Sequence, residues 1–173
     1  MNTDYFSIKG KNGAFFVYKP HQTDDPEFII VVATGLAEHA ARYNRLSSFL
    51  KNHNVQLYCI DHLGQGIYAT SLGIWPVNGF TECVSNINSL IEYIHEKNPG
   101  KKIVLFGHSM GSFMSLSFIE QYAFNIDACI LSGTNDQQPY AILKSGMVIA
   151  SIQQLFLGRN KPSKILNALS FGQ

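Results

Sequence analysis

Ile103-Val104-Leu105-Phe106-Gly107-His108-Ser109-Met110-Gly111 is the stretch that decides the fold. Four apolar residues without alternation suit a strand covered on both faces. A Gly-x-Ser-x-Gly turn follows. Behind it Met110 to Tyr122 is apolar on most sides, the pattern of a helix buried against a sheet. Strand, tight turn and helix in that order make a nucleophile elbow, which lifts a serine clear of the sheet. Gly107 and Gly111 leave the room that such a turn needs. Ser109 is therefore the expected nucleophile. The plain alternative is an ordinary strand-to-helix turn with a capping serine.

Outward from the elbow, strands and helices alternate. Phe28 to Ala33, Val55 to Ile60 and Ile126 to Leu131 are further apolar runs. Tyr5 to Ile8 and Ala14 to Tyr18 flank Lys11-Asn12-Gly13, which has hairpin-turn chemistry. Residues from about Ala40 to Lys51 suit a helix with Tyr43, Leu46, Phe49 and Leu50 on one face. Phe80, Cys83, Val84, Ile87, Leu90, Ile91 and Ile94 keep a helical period, and Asn98-Pro99-Gly100 stops it. The alternation predicts an α/β fold: a mostly parallel sheet with helices on both faces and an antiparallel hairpin at one edge. From Thr134 the pattern changes to a hydrophobic helix running to Leu157, broken or loosened near Gly146, and a short one near Ile165 to Leu169. Domain organisation follows: residues 1–133 form sheet and helices, and residues 134–173 form a separate apolar region.

The 173 residues suit one main domain. Apolar residues make up 46% and charged residues 14%, with a net charge of +1. Soluble chains are nearer one quarter charged, so buried sheet or covered surface is implied. No basic block argues for nucleic acid. No run of about 18 apolar residues argues for a membrane span, and the N-terminus opens with no basic run and no apolar stretch, so no signal peptide is expected and the cytoplasm is the default. Cys59, Cys83 and Cys129 sit far apart in apolar settings and are expected buried and reduced. No metal-ligand spacing is present, and no cofactor is expected.

An oxyanion hole needs two backbone N–H groups. Met110 follows the serine at a helix start, and Leu36 lies in the loop after the Phe28 strand. Met110 equally suits a core methionine. Of the histidines, His39 and His62 lie on loops near the rim, with a structural role for each as the main expectation. The His108 side chain is expected to leave the elbow in another direction. Asp61 is expected to bond backbone within its own loop.

Residues 28 to 134 resemble the monoacylglycerol lipase and lysophospholipase branch of the α/β-hydrolases, the serine aminopeptidase S33 (Hydrolase_4) group. Thr34-Gly35-Leu36-Ala37-Glu38-His39 with Arg42-Tyr43 resembles its His-Gly-x-x-Glu-His segment. Asp61-His62-Leu63-Gly64-Gln65-Gly66 resembles its Asp-x-Arg-Gly-x-Gly loop, and Gly107 to Ser112 its elbow. Thr34, Leu63 and Gln65 depart from those patterns. The resemblance implies an α/β-hydrolase fold, incomplete in its last strands. It also implies a serine hydrolase of carboxylic esters, monoacylglycerols or lysophospholipids above all, working through an acyl-enzyme. By it Ser109 is the nucleophile, and Leu36 and Met110 are the oxyanion donors. Residues 134–173 would start a lid whose Ile142, Leu143, Ile149, Ile152 and Phe156 line an acyl-chain pocket. The alternative for these side chains is packing of the lid onto the core.

In that family the catalytic Asp and His follow the serine. No counterpart is legible after Ser109, so the chain is expected to lack both the acid and the base. A truncated or decayed, non-catalytic α/β-hydrolase-like protein stands as the alternative reading. The expected ligand is a small acyl ester or lipid, with contact at a membrane surface as a further option. Self-association through a bare sheet edge is also expected.

Overall fold

The computed structural model describes residues 4–11, 13–134, 140–158, 161 and 163–171, without the side chains of 142, 143, 167 and 169–171. It divides into two compact units, Met1–Thr134 and Asn135–Gln173.

The first unit is built on one sheet. Strands β1 (Tyr5–Gly10) and β2 (Gly13–Tyr18) pair antiparallel, with Tyr5 opposite Tyr18. Strand β3 (Phe28–Ala33), β4 (Val55–Asp61), β5 (Lys102–His108) and β6 (Ala128–Ser132) follow. The spatial order is β1-β2-β4-β3-β5-β6. From β4 to β6 the neighbours are parallel, and β2 meets β4 antiparallel. Among the described residues this is a mixed, largely parallel sheet of six strands, the α/β arrangement that the alternation predicts.

Period-two geometry divides β3 between two apolar cores. Ile29, Val31 and Ala33 join one core, together with Ile87, Leu90, Ile91 and Ile94 of helix α2 (Gly79–Lys97) and with Met114 and Phe118 of helix α3 (Met110–Tyr122). Val32 faces the other, with Leu57, Cys59 and Leu50 of helix α1 (Asn44–Lys51). Burying each such aliphatic side chain stabilises the fold by about 1.5–3 kcal/mol.

Two local expectations are corrected. A 3₁₀ turn occupies Ala40–Tyr43 before α1 begins. Its three residues per turn shift the phase of the buried face. Phe49 is thereby exposed, and Ser47 is buried in a hydrogen bond with His21 Nδ1 at 2.7 Å. Helix α3 packs Met114 and Phe118 against the sheet as expected, and Phe113 and Leu116 lie on its open face. In the second unit helix α4 (Tyr140–Leu157) runs unbroken through Gly146 and is followed by α5 (Lys164–Phe171). A glycine inside a helix costs only about 1 kcal/mol, too little to stop a helix of this length. No helix among the described residues is long and apolar enough to cross a membrane.

Candidate active site

Strand β5 ends at His108 and α3 begins at Met110, which leaves Ser109 alone at the corner. Its φ of 50° and ψ of −118° are unusual for a residue with a side chain, and such strain costs about 1–3 kcal/mol. Several bonds hold it. Ser109 N–H donates to the Ser132 carbonyl at 2.8 Å. The Ser109 carbonyl accepts from Ser112 N–H at 2.8 Å and from Ser112 Oγ at 2.6 Å. Gly111 lets α3 lie against the end of β3: a Cβ there would stand 2.0 Å from the Ala33 carbonyl oxygen.

The loop after β3 is pinned on both sides of Leu36. Gly35 N–H donates to Glu38 Oε2 at 2.8 Å, and Ala37 N–H donates to Gln65 Oε1 at 2.5 Å. Thr34 is fully buried and gives its hydroxyl to the Ile60 carbonyl at 3.1 Å, which explains how the loop holds with threonine at this position. Leu63 cannot bond through its side chain, but its carbonyl accepts from Trp75 Nε1 at 2.5 Å, so the tryptophan anchors the second loop. Leu36 and Met110 line one cavity of about 820 Å³, shared with Ile67, Leu72 and Trp75. These last three lie in the 61–79 loop and were not anticipated as site residues. The density of large apolar side chains in a glycine-rich loop was their signal.

The expectation that acid and base are missing is corrected by His108. Its Nδ1 lies 3.4 Å from Ser132 Oγ, and its Nε2 lies 3.8 Å from Glu38 Oε1. Serine, histidine and carboxylate thus stand in triad order within this chain. Both contacts are longer than a working hydrogen bond, as is common before substrate arrives. In chain order the acid and the histidine precede this serine, whereas in the family they follow it, so the set was hidden from any reading that looks downstream of the elbow; triads are defined by geometry. Glu38 is nine-tenths buried, and its Oε2 also accepts from Tyr43 Oη at 2.9 Å. Burial and that carboxylate together push the Tyr43 hydroxyl pKa up. Arg42 Nε stands 3.5 Å from Oε1.

The other histidines divide as follows. His39 borders the large cavity. His21 and His95 bond the carbonyls of Val55 and Asn125. His53 packs on Phe49. His62 is buried rather than at the rim. Asp61 does not bond its own loop: Oδ1 accepts from Ala40 N–H at 2.6 Å, across in the other loop. The cysteines are unbridged. Cys59 and Cys83 are buried, and Cys129 is only partly so. Burial pushes the Cys83 thiol up to about 11, which makes it inert. Of the expected pocket residues on α4, Ile149 is partly exposed, and Ile152 and Phe156 are exposed. The side chains of Ile142 and Leu143 lie outside the described residues.

Burial pushes the His62 imidazole down from 6.5 to about 4; the Thr34 backbone beside it, outside hydrogen-bonding geometry, offsets part of that fall. The folded state keeps the ring neutral, and the unfolded chain takes up a proton below 6.5. Stability from this group is therefore full above about pH 6.5 and lost as the pH falls towards 4, by up to about 3 kcal/mol. Asp61 has the opposite sign, because burial raises its carboxyl pKa. Urea midpoints at pH 7 and pH 5 should differ in the native chain and draw together in His62→Gln. An equal pH slope in the variant would remove His62 as the cause.

A family model described as serine aminopeptidase S33 (Hydrolase_4) matches residues 24–169. A monoacylglycerol lipase of Mycolicibacterium smegmatis is 28% identical over 73% of the chain and 45% of its own length. Mouse monoglyceride lipase is 31% identical over 57% of the chain and 31% of its own length. A thermostable carboxyl esterase from Bacillus coagulans, crystallised with glycerol, superposes with a TM-score of 0.78 at 24% identity over 95% of the chain and 55% of its own; at that identity the likeness shows the fold. The chain thus spans less than half the length of these two curated relatives.

Proposed function

Because the chain belongs to the serine aminopeptidase S33 family of α/β-hydrolases, we propose that it hydrolyses carboxylic esters of single acyl chains, monoacylglycerols or lysophospholipids, through Ser109. The observation that carries this is the strained corner at Ser109, with Met110 N–H at the start of α3 beside it. Such an N–H has no partner within its own helix and favours a developing oxyanion. Leu36 N–H has no partner among the described residues and belongs to the pinned loop after β3.

In this mechanism Ser109 Oγ attacks the ester carbonyl carbon, and its proton passes to an imidazole. His108 is the candidate. Its ring and Ser109 N both border Gly133, within 3.8 Å of where a Cβ would sit. Leu36 and Met110 hold the oxyanion. The carbon–oxygen bond to the alcohol breaks and the alcohol takes the proton. Water then releases the fatty acid from the acyl-enzyme. The 3.4 Å contact to His108 supports a second reading, in which Ser132 attacks instead.

The large cavity suits an acyl chain, as do Ile142, Leu143, Ile149, Ile152 and Phe156 of α4 if residues from Thr134 onward act as a lid. Each buried methylene would add about 0.8 kcal/mol, or about fourfold in binding. The test is kcat/KM over a chain-length series of monoacylglycerols, lysophospholipids and short esters beside amino-acyl amides. A rise with chain length is expected. Preference for amides, or rates indifferent to length, would overturn the substrate class.

The same proposal places the protein in the cytoplasm with no nucleic-acid partner, touching membrane surfaces through the exposed Met147, Leu155 and Phe156 of α4. It also has the chain self-associate through β6, whose outer edge pairs with no strand among the described residues and exposes Ile130. A single monomer boundary in concentrated sedimentation runs would remove that last element.

A further inference from the structure

Behind the Gly64–Gly66 loop lies a second cavity of about 120 Å³, bordered by Asp61, His62 and Gln65. All three side chains are more than nine-tenths buried. Asp61 Oδ2, both ring nitrogens of His62 and Gln65 Nε2 have no protein partner among the described residues. A buried polar atom left unpaired costs about 1–3 kcal/mol, so four in one place need a common explanation. The set is complementary: a carboxylate oxygen accepts, an amide nitrogen donates, and a neutral imidazole does one of each. The volume has room for a few water molecules, and its walls offer the two to four polar partners that each needs.

The outer atoms of the same cluster reach the loop that carries Leu36. Gln65 Oε1 accepts from Ala37 N–H at 2.5 Å, and Asp61 Oδ1 accepts from Ala40 N–H at 2.6 Å. Gly66, with φ of 81°, closes over the carboxylate, where a Cβ would stand 2.1 Å from Asp61 Oδ2. We propose that Asp61, His62 and Gln65, joined by water across this cavity, form one buried strut that sets the position of the Leu36 N–H, with Gln65 and Asp61 as positioning residues. Gln65 and Asp61 each have one atom on the loop and one left to the cavity, while His62 has both ring nitrogens left to the cavity. The catalytic part of the inference rests on Ser109 being the nucleophile; the positional part does not.

The test compares the native chain with Gln65→Leu. Amide exchange at Ala37 and Ala40 is followed by NMR, and covalent labelling of Ser109 by a fluorophosphonate is timed. Gln65→Leu is expected to lose protection at both amides and to slow labelling at least tenfold, with the urea midpoint lowered far less than protection. Gln65→Glu keeps the acceptor and should restore protection at Ala37. If Gln65→Leu fails to fold, Gln65→Asn, one methylene short, serves in its place. Unchanged protection at Ala37 overturns the inference. Loss at Ala37 with Ala40 unchanged overturns the joined strut. Lost protection with native labelling overturns the link to the reacting serine. A native chain that never labels at Ser109 refutes the nucleophile assignment, while the two amides still decide the strut.

Discussion

Ser109→Ala is expected to abolish covalent labelling by a fluorophosphonate and to lower ester turnover by about 10⁴-fold or more, the usual cost of removing a serine nucleophile. Alanine keeps the backbone bonds of Ser109 to Ser132 and Ser112, so the fold should survive and the urea midpoint should move little. The labelled peptide from the native chain should contain Ser109. A label on Ser132, with Ser109→Ala still active, would transfer the attack to the second reading and make the elbow a scaffold for the Ser132–His108–Glu38 array. His108→Ala separates the readings no further, since both use that ring, but it should lower turnover in either.

Gly111→Val should be the most damaging single change to stability. The first carbon of the new side chain would meet the Ala33 carbonyl oxygen at 2.0 Å and the Thr34 carbonyl oxygen at 2.7 Å. Both are backbone, so no rotamer relieves the contact. Helix α3 must move off β3, opening the core around Met114 and Phe118 and dragging the elbow with it. Overpacking of a rigid site costs about 1–3 kcal/mol and more when backbone must move, so a loss of about 3 kcal/mol or greater is expected by urea denaturation. Gly146→Ala on α4 is the contrast. Nothing lies within 4 Å of its added carbon, and alanine is better by about 0.5–1 kcal/mol inside a helix. Equal effects at the two glycines would refute the packing account.

The two changes bear on how far the site was legible in the residues themselves. The elbow and the parallel strands were, because a Gly-x-Ser-x-Gly turn between two apolar runs has few other uses and covered strands carry unbroken β-branched stretches. The Asp61 loop was recognisable too, but its partner was not: Ala40 lies in a different loop, and only the folded sheet brings β3 and β4 side by side. Glu38 and His108 were in plain view, yet their meeting with Ser132 depends on β5 and β6 ending at the same level, in register from Val104 opposite Ala128 to His108 opposite Ser132. Periodicity predicts faces, and it says nothing about which strand ends coincide. The α1 face was misjudged for a local reason, the 3₁₀ turn that offsets it.

That register has a thermal consequence. The amide of Ser109 ends on the carbonyl of Ser132, a residue of the edge strand among the described residues. Outer strands open at lower free energy than the interior of a sheet. The corner proposed to carry the nucleophile is therefore tied to an edge element that opens early, while α2 and the β3–β5 interior stay folded. Inactivation on heating would precede unfolding of the bulk, and any polypeptide that clamped β6 would raise the working temperature of the chemistry without touching the core.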